Sequence, residues 1–158
     1  MIQRIQSLFL LGVVIISTAL FFVPLSEKTY IDSVSGSETK LELYVTKSIS
    51  VTGTEKATIG NNIPLTIVNL LILLASLFII FQFKNRISQM KLSMLTSLFT
   101  MVFLILVFYY SEAMGPETSK AHYLPGVYLI AVQVFLLLAA RRFIRKDEML
   151  VRSADRIR

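Results

Sequence analysis

The chain has 158 residues, of which 54% are hydrophobic and 16% charged, with a mean hydropathy of +0.68. Soluble domains carry about a quarter charged residues and lack long uncharged apolar runs, which argues against an ordinary water-soluble globule. There is no cysteine, which excludes disulfides, thiolate metal sites, a cysteine nucleophile and a lipoprotein-type anchor.

Four segments reach the roughly 20 apolar residues that a helix needs to cross a hydrocarbon core of about 30 Å. They are residues 5–25, 63–83, 92–111 and 122–140, and none contains an internal charge. In lipid each backbone must satisfy its own hydrogen bonds, so these runs are predicted helices. The first resembles a signal peptide, with a basic start, an apolar stretch and Ser17-Thr18-Ala19 as a small-residue site. Because the apolar run continues through Leu20 to Val23, it is read as an uncleaved span.

Between the first and second spans, residues 26–62 are too many for a passive connection. Leu41, Leu43, Val45, Ile49 and Val51 alternate with polar residues, apart from Lys47, which predicts a strand with one apolar face. Lys28 to Val34 is a shorter extended candidate before the turn Ser35-Gly36-Ser37. Lys56 to Ile59 is another, after Thr52-Gly53-Thr54. The apolar face of such a hairpin must rest on something. It rests on the membrane surface, caps the span ends of this chain at residues 113–125, or docks another envelope protein through Leu41, Leu43 and Val45.

Within the spans no ionisable group is deep, which disfavours a proton relay or a coupled transporter. Asn69 and Gln133 are the deepest amides and are expected to hydrogen-bond each other across helices, or to meet a lipid or partner. Glu112, Glu117 and His122 form the only cluster of acid–base types, on the short outer loop, and no nucleophile elbow, phosphate loop or metal-ligand spacing is present. Catalysis and a cofactor are not expected.

Residues 141–158 are the densest charged segment and are predicted to continue the fourth helix into a cytoplasmic C-terminal helix. Arg141 and Arg142 end the span, and with Arg4, Arg145, Lys146 and Arg152 they are candidates for contact with lipid phosphates or a partner. Nucleic acid is disfavoured because acids dilute the patch and no aromatic residues interleave with it. The side bearing both termini holds eleven basic and three acidic residues, a net +8; the other holds five and seven, a net −2. The positive-inside rule then makes both termini cytoplasmic. All four prolines fall at the outer ends of the spans, and all six tyrosines lie at or beyond that boundary.

The two ends, MIQRIQ at residues 1–6 and RKDEMLVRSADRIR at residues 145–158, resemble a family of small four-span proteins known only as a domain of unknown function. The resemblance covers the whole chain and implies residence in the inner membrane of double-membraned bacteria, with no activity or ligand attached. The layout is also similar to claudin-like four-span proteins, whose Trp and Cys signature is absent here. The expected fold is an all-α, single-domain membrane protein: a four-helix transmembrane bundle with a small outer β-hairpin or sheet. The expected role is a non-catalytic accessory or scaffold subunit, with membrane lipids and an envelope protein as partners. The alternative is a lipid- or small-molecule-binding protein with a groove near Asn69, Gln133, Tyr109 and Glu112.

Overall fold

The computed structural model describes residues 3–31, 37–53, 55–82, 85–116 and 119–155, with side chains left out at 3, 4, 86 and 150–155. In chain order the elements are α1 (Gln3–Ala19), β1 (Ser26–Ile31), β2 (Glu38–Leu43), β3 (Lys47–Thr52), β4 (Glu55–Asn61), α2 (Ile63–Phe81), α3 (Arg86–Ala113), β5 (Ala121–Tyr123) and α4 (Pro125–Asp155). The five strands form one antiparallel sheet in the order β4-β3-β2-β1-β5. The expectation of an all-α protein is therefore overturned. The segment before α2 supplies four strands, and the short loop between α3 and α4 supplies a fifth that pairs Ser26 with Tyr123.

Among the described residues, three helices are long and apolar enough to cross a membrane: Ile63–Phe81, Ile87–Ala113 and Pro125–Met149. The apolar helix Ile5–Ala19 is shorter. The chain leaves α1 through tight turns, with Phe21 N–H donating to Thr18 O and Phe22 N–H to Ala19 O, before Pro24 enforces an extended approach to β1. The fourth helix begins at Pro125 rather than His122, because a proline at the first helical position loses no hydrogen bond there. It then runs unbroken to Asp155, so the described part of the charged tail is the same helix as the apolar segment.

The helices close a ring in which α1 and α3 each pack against both α2 and α4. Leu10, Val13, Ile72, Ile79, Phe103, Val107, Ile130 and Leu137 fill its centre. The sheet covers the end where α1 stops and α2 starts. At the opposite end Phe9 stacks on Phe143 with ring centroids 5.3 Å apart, and Gln6 donates to Gln89 across α1 and α3.

The predicted strand from Leu41 to Val51 is two strands. Tyr44 N–H donates to Lys47 O, closing a turn whose tip carries Val45 inward. Asn62 and Thr66, at the head of α2, satisfy that turn. Asn62 donates its backbone N–H to Thr46 O and its side-chain amide to Tyr44 O, and the Thr66 hydroxyl donates to Val45 O. Past the turn the faces exchange: Ser48 and Ser50 stand opposite Leu43 and Leu41 on the inner side, and Ser48 is buried, whereas Ile49 and Val51, expected on the apolar face, stand opposite Glu42 and Lys40 on the other. On β4 the register shifts opposite Ser48 and Ile49, leaving Ile59 as the extra residue of a bulge.

Candidate functional site

The seam between sheet and helices holds the most deeply buried charged residue among the described residues. Lys28 alternates inward with Ser26 along β1 and is 1% exposed. Its Nζ donates to the backbone carbonyl of Glu112 at 2.8 Å and lies 3.4 Å from Glu112 Oε2. Glu112 is the penultimate residue of α3, so Lys28 supplies a donor to one of the carbonyls that a helix end leaves without an intrahelical partner. Beside it, the hydroxyls of Ser26 and Ser111 meet at 2.6 Å, both fully buried.

The Glu112 carboxylate is open to solvent and accepts a hydrogen bond from Tyr123 Oη at 3.3 Å. Partial burial and the neighbouring Glu112 charge hold the Tyr123 phenol above its ordinary range. Tyr44 is raised in the same way, by burial and by its hydrogen bond to Glu42. Of the cluster read as acid–base types, Glu112 is engaged with Lys28 and Tyr123, while His122 sits opposite Glu27 in the β1–β5 register. Glu117 lies outside the described residues.

A second polar cluster lies inside the helix ring. Asn69 and Gln133 are fully buried and converge on Ser17 of α1. Asn69 Nδ2 donates to Ser17 O at 3.0 Å, and Gln133 Nε2 donates to Ser17 Oγ at 2.7 Å. The expected direct bond between the two amides is thus replaced by a three-helix junction through Ser17. Asn69 Oδ1 and Gln133 Oε1 have no partner among the described residues. Tyr109 projects away from the ring and is 68% exposed, so it does not share a groove with Asn69 and Gln133.

This imbalance predicts an asymmetry between substitutions. Ser17→Ala leaves a buried Gln133 amide unpaired and is expected to cost about 1–2 kcal/mol. Gln133→Leu and Asn69→Leu remove an unsatisfied acceptor together with one bond, and each is expected to cost under about 1 kcal/mol. Denaturant unfolding in detergent measures the order.

The structure places Leu41, Leu43 and Val45, the residues read as an outer partner contact, on the inner side of the sheet. All three are buried, Leu43 and Val45 within the hydrophobic core of this chain. A Cβ at Gly115, whose φ is +74°, would meet Leu41 Cδ1, so the loop after α3 lies directly on the sheet. At the far end of α4, Arg142, Arg145 and Lys146 are exposed and Arg141 partly so. The side chains of Arg4 and Arg152 lie outside the described residues.

The sequence assigns no contact to Lys28, Ser26 or Ser111, and marks Ser17 only as part of a small-residue site. The inward alternation of Ser26 and Lys28 is a period-2 signal, but its apolar residues are missing. Ser17 is legible only once α1, α2 and α4 are known to meet.

No curated protein matches the chain. A family model described as a domain of unknown function (DUF4293) matches residues 2–157. The match spans nearly the whole chain, sheet and helices together, and the protein therefore belongs to the DUF4293 family.

Proposed function

We propose that this protein is a non-catalytic integral protein of a bacterial inner membrane, with both termini cytoplasmic, that acts as an accessory or scaffold subunit through its extracytoplasmic sheet. The charge division between the two ends supports the orientation. The observation that carries the docking role is strand β4. It is an edge of the sheet, and all seven of its residues, Glu55 to Asn61, are exposed. A sheet edge presents unpaired backbone donors and acceptors and takes up an added strand. The sheet beneath it is fastened to α2 by Asn62 and Thr66 and to α3 by Lys28, so a load on β4 reaches the helices. The buried face, with Leu41, Leu43 and Val45, serves the chain itself.

A photo-crosslinking residue at Thr58, in cells that produce the protein naturally, is expected to give one adduct of defined mass. Ala57→Lys combined with Ile59→Lys is expected to abolish it at unchanged protein level. If Thr58 gives no more adduct than the same probe at Tyr128, on the exposed face of α4, the docking role is wrong.

A further inference from the structure

We propose that the outer face of α4 between Phe135 and Met149 binds one anionic phospholipid, its phosphate held by Arg142, Arg145 and Lys146. The inference rests on the membrane placement above but not on the docking role of β4.

A groove of about 1000 Å³ lies along this face. Phe135, Leu138, Arg142, Arg145 and Met149 recur every three or four residues, so they form one stripe of the helix. From Phe135 to Met149 the rise is about 21 Å at 1.5 Å per residue, close to the depth of one leaflet with its headgroups. The stripe is apolar where the helix is still in its hydrocarbon-compatible stretch, with Phe135 exposed at 72%. About two turns on, it becomes cationic. Acyl chain and phosphate would therefore meet matching chemistry in the order in which a lipid presents them.

Charge complementarity selects an anionic occupant. Three cations line the groove, and no carboxylate lines it among the described residues. Of the nearest acids, Asp147 is buried, and Glu148 borders an adjoining groove of about 250 Å³ with Met90, Arg145 and Met149. Guanidinium groups suit phosphate because their parallel donors match its oxygens. Phe143, on the rim, is stacked on Phe9 of α1, so the groove is held by two helices.

The test uses the full-length protein in mild detergent, titrated by native mass spectrometry. The probes are phosphatidylglycerol, phosphatidylcholine with the same acyl chains, and inorganic phosphate. Phosphatidylglycerol is expected to bind at least about tenfold tighter than phosphatidylcholine, with about fivefold of affinity lost per cation removed. The combined variant Arg142→Gln, Arg145→Gln and Lys146→Gln should erase the preference. The charge-matched control Lys40→Gln, Lys47→Gln and Lys56→Gln, on the exposed sheet surface, should keep it. If the first variant does not fold, Arg145→Gln alone is expected to show its fivefold loss.

Equal binding of the two lipids, or equal loss in the control, overturns the proposal. Competition by inorganic phosphate at lipid-like concentration does so too, by reducing the site to a free-anion site. So does a preference that appears only after residues 150–158 are deleted, which would assign the groove to the chain's own tail. Stoichiometric protein in place of lipid on this face is equally fatal. None of these results alters crosslinking from Thr58, so the two readings fail separately.

Discussion

Lys28→Ala is expected to destabilise the protein by about 2–4 kcal/mol, Lys28→Met by about 1 kcal/mol, and Glu112→Gln by less than either. The order follows from what each change removes. The lysine is almost wholly buried, so truncation to alanine removes three methylenes at about 0.8 kcal/mol each. It also leaves the last turn of α3 with a carbonyl that has lost its donor, which costs a further 1–3 kcal/mol or so. The partial relief of not burying an ammonium offsets part of that sum. Methionine keeps the apolar stem and gives up the donor together with the charge. Glutamine at 112 leaves the backbone acceptor in place, and the carboxylate it replaces is 62% exposed, where ion pairs contribute little. Thermal or denaturant unfolding of the three variants in one detergent measures the order. If Glu112→Gln proves as costly as Lys28→Ala, the ion pair and not the helix-end contact is what joins the sheet to α3.

That seam also shows what a linear reading of the chain misses. The apolar segments are legible because length and the absence of charge suffice to identify them, and α2, α3 and α4 lie where those runs do. The end of α1 is not legible, since Leu20 to Val23 have the composition of the helix they follow. Only the turns that lead to Pro24 separate them. Alternation marks Leu41, Leu43 and Val45 as inward, but it carries straight through the turn at Tyr44 to Lys47, so one strand is read where there are two. Strand β5 has three residues, too few for any periodicity, and it exists because β1 offers it an edge. Because these added strands are tertiary in origin, local pattern makes the protein look all-helical with a hairpin.

The same dependence applies to the polar residues. Asn69 and Gln133 stand out because amides are rare in apolar runs, whereas their shared partner is a serine and a backbone carbonyl, which no sequence pattern marks. Lys28 reads only as the start of a short extended segment, because its acceptor lies 84 residues away.

Gly126→Ala is the second substitution with a large expected effect, about 2–3 kcal/mol of destabilisation, against a near-neutral result for Gly60→Ala. A Cβ at Gly126 would lie 2.6 Å from Pro24 O, 2.9 Å from Leu25 Cδ2 and 3.2 Å from Leu25 Cα. The leucine methyl can rotate away; the proline carbonyl and the leucine Cα are backbone and cannot. Relief therefore requires the Pro24–Leu25 segment to move off the first turn of α4. That segment is pinned on both sides, since Leu25 N–H donates to Leu43 O at 2.7 Å and Leu124 N–H donates to Leu25 O at 2.9 Å. Moving it breaks one of these bonds or strains both, which adds to the overpacking cost of about 1–3 kcal/mol. Gly60 faces open space, so a methyl there meets nothing. Hydrogen exchange distinguishes local from global damage: faster exchange confined to β1, β2 and β5 in Gly126→Ala means the sheet detaches first. Loss of protection in α1 and α4 as well means that sheet and helices unfold as one cooperative unit. The second outcome is expected, because the Pro24–Leu25 crossing packs on α4 and is bonded to β2 through Leu25 itself.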